Sequence, residues 1–150
     1  MKILFEESEA IEVSKIKELV SAINPGVEMV KITLRDRIPV QRYLVRKGTR
    51  LFPVSVNDIA YFYIKDRFSC IRTVDGTEHI IGKSLDDIEL EVDSAVFFRA
   101  NRQFIVNYSS IRQVHACFNG KLKVWLSPGI AEDVIVSRLK AAEFRKWLGE

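Results

Sequence analysis

From Tyr43 onward the chain is built of short apolar runs rich in β-branched and aromatic residues, each cut off by turn residues. That texture restricts the fold more than any other feature, because closely spaced short strands pair as hairpins and leave no room for long crossover helices. Strands are predicted at Tyr43–Val45, Leu51–Val54, Ile59–Ile64, Phe68–Val74, His79–Ile81, Phe104–Tyr108, Ile111–His115, Leu122–Leu126 and Val134–Val136. The breaks between them are Lys47-Gly48, Lys65-Asp66-Arg67, Asp75-Gly76, Ser109-Ser110, Asn119-Gly120 and Ser127-Pro128-Gly129. Asp-Gly and Asn-Gly supply the positive φ of a tight hairpin turn at little cost. The expected class is mainly β, with antiparallel sheets and short helices; a doubly wound nucleotide fold is excluded by the missing strand–helix alternation.

Three segments read as helices. Ser84 is a cap with Asp87 at the capping-box position, opening a helix to about Val92 whose first turn is acidic. Ser137 caps a C-terminal helix to Leu148, in which Leu139, Ala142, Trp147 and Leu148, with Phe144 less well centred, form the expected buried side. Near the N-terminus, Ser8–Asn24 carries Ile11, Ile16, Leu19, Val20 and Ile23 at helical spacing, and Asn24-Pro25-Gly26 stops it. Val30, Ile32 and Leu34 then alternate with polar residues as a short strand, and Asp36-Arg37-Ile38-Pro39 reads as a joint. The expected organisation is a helical prelude over residues 1–40 and a β domain over residues 41–150. The length of 150 residues suits one main domain, and 9 Phe, 4 Tyr and 2 Trp supply the apolar area for a core.

Charge is modest in total, +3, yet unevenly placed. Residues 1–38 hold six basic and seven acidic side chains, and the remainder seventeen and thirteen. Asp86, Asp87, Glu89, Glu91 and Asp93 are bunched, whereas Ser94–Ala131 contains no acid but does contain Arg99, Arg102, Arg112, Lys121 and Lys123. Arg37–Asn57 is a second acid-free stretch. Two segregated basic stretches can build a positive face of the sort a polyanion requires, the plainer alternative being solvated loop charge.

Other chemistries find little support. No phosphate-cradling glycine loop is present, and His79 and His115 have no cysteine at zinc-ligand spacing. No nucleophile-and-base constellation is visible, so neither enzyme activity nor a metal or cofactor is expected. Cys70 and Cys117 lie far apart, which argues against a disulfide framework and for a cytoplasmic setting; no run is long enough to span a membrane. Three arginine-bearing loops remain: Lys65-Asp66-Arg67, Phe98-Arg99-Ala100-Asn101-Arg102-Gln103, and Val136-Ser137-Arg138. Arginine can take guanine O6 and N7 together, asparagine can do the same for adenine, and a capped helix start with Ser137 can hold a phosphate.

One ordered set of segments carries a family resemblance. It comprises Val56-Asn57-Asp58-Ile59-Ala60-Tyr61-Phe62, Asp75-Gly76, Lys83–Glu89, Phe97–Asn107, Ile111 and Val136-Ser137-Arg138. In this order it resembles the LytTR DNA-binding domain, the output module of many bacterial response regulators, from about Arg42 to Leu148. The resemblance implies antiparallel β-sheets with short helices, and loops entering successive major grooves on one side of a DNA duplex, often bending it. It places base and phosphate contacts on Lys65 and Arg67, on Arg99, Asn101 and Arg102, and on Arg138. Arg102 and Arg138 are expected to read bases, with Asn101 and Arg67 secondary; Lys65, Arg99 and Ser137 are expected to hold phosphates. Asn101 stands where the family commonly has histidine, which keeps hydrogen bonding but removes a potential charge. Asn107 is read as a turn-closing side chain.

The family usually carries a receiver, for which residues 1–40 are too short, so a truncated or free-standing regulator is expected, with the Ser8–Asn24 helix packing on the β domain or on a second copy as a homodimer on DNA. Two rivals stand beside this reading. One is a protein-interaction module using the basic loops and that helix. The other is a single-stranded RNA-binding sheet, which would need rings such as Tyr61 and Tyr63 exposed for stacking.

Overall fold

In the computed structural model, residues 2–6, 28–32 and 38–150 are described. The predicted Ser8–Asn24 helix lies outside them. Lys2–Glu6 (β1) pairs in parallel with Glu28–Ile32 (β2), Lys2 opposite Glu28 and Glu6 opposite Ile32. The predicted strand around Val30 and Ile32 is β2; its partner β1 was not predicted, since Ile3-Leu4-Phe5 is too short a run to show a period.

Within the unit Pro39–Glu150 the centre is Ile59–Lys65 (β5). Its neighbours in the sheet are Phe68–Thr73 (β6) and Phe104–Asn107 (β9), and the edges are Glu78–Ile81 (β7) and Phe97–Asn101 (β8), all antiparallel. Both faces of this sheet are covered. Over one lie Leu122–Leu126 (β11) and Val134–Val136 (β12), from a second antiparallel sheet completed by Ile111–Ala116 (β10). The C-terminal helix packs on that side too. Over the other lie the hairpin Arg42–Lys47 (β3) and Arg50–Ser55 (β4), with the helix Leu85–Glu91 (α1). Tyr61 and Tyr63 enter the first core; Ile59 and Phe62 enter the second. A strand buried on both faces reads as an unbroken apolar run, which is why β5 lacks alternation.

Local chemistry fixes the ends of these elements. Ser84 Oγ accepts from Asp87 N at 3.1 Å and starts α1, and Ser137 Oγ accepts from Lys140 N at 3.3 Å to start Arg138–Leu148 (α2). Asn107 closes its turn as expected: Oδ1 accepts from Ser109 N and from the Ser109 hydroxyl, each at 2.9 Å, and Nδ2 donates to Ile59 O at 2.9 Å. At the β6–β7 turn Asp75 accepts from the Thr73 hydroxyl and from Thr77 N at 3.0 Å, bonds that lower the pKa of its carboxyl to about 2.

Three expectations change. Of the expected loop Phe98–Gln103, only Arg102-Gln103 is a turn; Phe98–Asn101 belong to edge strand β8, whose alternation is hidden by a register shift between Arg99 and Asn101 and by a part-buried arginine. In α2, Phe144, Trp147 and Leu148 pack on the core as expected, but Ala141 is buried in place of Ala142 and Leu139 is almost fully exposed. Tyr61 and Tyr63 are buried, so they offer no stacking platform for single-stranded RNA. Truncating the fully buried Phe62 to alanine is expected to lower stability by about 3–5 kcal/mol, measured by urea unfolding.

Candidate nucleic-acid interface

Strand pairing gathers the predicted loops. Because β5 and β9 are antiparallel with Tyr63 opposite Phe104, the Asp66-Arg67 turn and the Arg102-Gln103 turn leave the same end of the central sheet. Ile64 N donates to Gln103 O at 3.1 Å and ties the two turns together. Asn101 Nδ2 donates to Ile135 O at 3.0 Å, fastening the second turn to β12, while its Oδ1 accepts from Gln103 N at 2.8 Å. From β12 the chain runs directly into Ser137 and Arg138. The Asn119-Gly120 turn supports Arg138. Gly120 has φ +82°, and a Cβ there would stand 2.7 Å from Arg138 Cγ, so only glycine lets the arginine stem lie across it.

Between α1, the β8–β9 turn, the β10–β11 turn, β12 and the start of α2 lies a groove of about 440 Å³. Four of the seven predicted residues line it: Arg99, Asn101, Arg102 and Ser137. Its charged lining is two acids, Asp86 and Glu89, against four bases, Arg99, Arg102, Lys121 and Lys140. The acids are engaged locally, since Arg99 Nη1 donates to Asp86 Oδ1 at 3.0 Å and to Glu89 Oε1 at 3.2 Å. Arg99 also turns its other nitrogens inward, Nε to Asn101 O at 2.6 Å and Nη2 to Arg102 O at 2.8 Å. Its side chain is only 12% exposed.

The other predicted residues sit differently. Lys65 is exposed and bonds Glu78 Oε1 at 3.3 Å, within a cluster where Glu78 also accepts from Tyr63 and meets Arg72. Arg67 is exposed on the two-residue turn, where Asp66 and Arg67 adopt φ 50° and 71°. No ion pair among the described residues involves Arg67, Arg102 or Arg138, and all three are exposed. The sequence patterns do not single out Lys140, and they mark Lys121 only as part of a basic stretch. Lys140 stands three residues after the Ser137 cap, a spacing that could have revealed it, whereas Lys121 reaches the groove only through tertiary packing. Phe118 is fully exposed near Gly120 in sequence, and the exposed Leu139 follows Arg138. Among the described residues no helix is long and apolar enough to cross a membrane.

Residues 49–149 match the family model of the LytTr DNA-binding domain. Over 97% of its length the chain is 29% identical to the sensory transduction protein LytT of Enterococcus faecalis, and over 89% it is 27% identical to the protein of that name from Bacillus anthracis. Those alignments cover 57% and 49% of the two relatives, so the chain spans about half the length of the curated relatives it matches. A solved LytTr DNA-binding domain from Bacillus cereus shares the fold, with a TM-score of 0.63 and 24% identity over 74% of this chain and 99% of that one.

The left-handed Arg67 carries strain that glycine would not. Arg67→Gly is expected to raise stability by up to about 1 kcal/mol in urea unfolding while removing a cation from the candidate interface.

Proposed function

Because the chain belongs to the LytTr DNA-binding domain family, matched over residues 49–149, we propose that it binds specific double-stranded DNA and regulates transcription as the output domain of a bacterial response regulator. The observation that carries the reading is the convergence of the β5–β6 turn, the β8–β9 turn and the start of α2, with Arg67, Arg102 and Arg138 exposed on them. In this reading the loops enter the major groove, where Arg102 and Arg138 take guanine O6 and N7 as planar forks, with Arg67 assisting. Ser137 and the first amides of α2 hold a phosphate, joined by Lys65, Lys121 and Lys140. Asn101 keeps one amide proton and one lone pair beyond those used in the turn, enough for a single secondary base contact. Arg99, directed inward, supports the site from behind. The work takes place in the bacterial cytoplasm, without a cofactor, and a second copy on a repeated operator is part of the proposal.

A protein-interaction module is the second reading. Phe118 and Leu139 favour it, since both are large apolar side chains exposed near Arg138 in sequence or through the Gly120 turn.

Selection of bound duplexes from a random pool, followed by salt titration of the winner, separates the two. A motif is expected to emerge, and Arg102→Ala or Arg138→Ala is expected to cost about 1–3 kcal/mol of discrimination at one base position each. Lys121→Ala is expected to weaken binding evenly across sequences and reduce the salt slope by about one contact. No enriched motif, with both arginine variants binding duplex as the parent does, rejects the DNA reading.

A further inference from the structure

The bunched acids of α1 stand beside a surface proposed to meet DNA, where simple electrostatics gives them only a repulsive role. We infer that Asp86 and Glu89, acting through Arg99, are positioning residues that hold the Arg102-Gln103 turn in its base-reading conformation, an inference that rests on the DNA-binding reading above.

The geometry is a relay. Asp86 and Glu89 are three residues apart and therefore share one face of α1. Both accept from the same nitrogen of Arg99, at 3.0 and 3.2 Å. The guanidinium then donates to Asn101 O at 2.6 Å and Arg102 O at 2.8 Å, the two carbonyls that lead into the turn. One rigid planar cation thus connects a helix to consecutive peptide units, which sets the direction in which the backbone of Arg102 presents its side chain. Without a carboxylate partner, Arg99 would be drawn toward any phosphate laid over the groove, and the carbonyls would lose their donor. The turn is also braced from its other sides by Asn101 Oδ1 on Gln103 N at 2.8 Å and by Lys140 Nζ on Arg99 O at 3.1 Å. The relay is therefore the part that connects it to α1. Asp86 is 89% exposed and Glu89 44% exposed, so neutralising them leaves the core untouched.

The test is a variant carrying Asp86→Asn and Glu89→Gln, compared with the parent on the selected duplex and on duplexes altered one base pair at a time. Removing two negative charges beside DNA would by electrostatics alone tighten binding. The relay predicts instead that discrimination falls about tenfold at the position read by Arg102, while the salt slope rises by about one contact as the freed Arg99 meets a phosphate. Arg99→Lys keeps the charge but not the fork, and is expected to lose discrimination at that same position. Equal or tighter binding by the double variant with discrimination kept, or a lysine variant that retains it, overturns the inference. A DNA-free arm keeps the two readings apart: amide exchange at Gln103 is expected to quicken in the double variant while its urea midpoint stays put, and unchanged exchange counts against the relay. A parent that selects no duplex defeats the DNA reading itself.

Discussion

A central strand with both faces buried is the constraint from which the rest of the architecture follows. β5 sends Tyr61 and Tyr63 into one core and Ile59 and Phe62 into the other, so the sheet it belongs to has to be covered twice. One cover is β11, β12 and α2; the other is the β3–β4 hairpin with α1. Each cover brings one part of the candidate interface: α2 brings Ser137 and Arg138, and α1 brings Asp86 and Glu89. The central sheet itself contributes the two turns between them. The groove therefore exists because two independent layers meet at the same end of one strand pair.

Much of this was legible in residues whose meaning is local. Asp75-Gly76 and Asn119-Gly120 marked hairpins, with Gly76 and Gly120 at φ 93° and 82°, and Ser84 and Ser137 marked helix starts through bonds their own side chains make. What escaped depends on partners distant in sequence. β8 looked like a loop because Arg99, a charged residue in a strand, is neutralised by acids on α1 that no local pattern reveals. In α2 the phase holds for Phe144, Trp147 and Leu148, which pack on the core, while Ala141 rather than Ala142 is buried and Leu139 lies outside. Lys121 joins the site only by packing. The seven site residues named from sequence remain a proposal, but the structure sorts them into outward-facing Arg67, Arg102 and Arg138 and inward-turned Arg99.

Net charge is a poor guide here for the same reason. The +3 total hides an acid-rich helix three of whose four carboxylates have specific internal partners. Glu91 bonds Lys83 at 2.7 Å and Tyr43 at 2.9 Å, and Asp86 and Glu89 meet Arg99. These acids offset cations that belong to the scaffold. Arg67, Arg102 and Arg138 stand outside all such pairs among the described residues.

The Asn101–Ile135 hydrogen bond has a consequence for how the interface would evolve. Arg102 follows Asn101 in the chain, and Arg138 follows Ile135 by three residues, so this single contact ties together the two backbone segments that carry the arginines. Residues sharing a support do not change independently. If the two arginines read bases as proposed, a substitution that shifts this support would alter the aim of both, so new specificities would arise through paired substitutions rather than by separate steps.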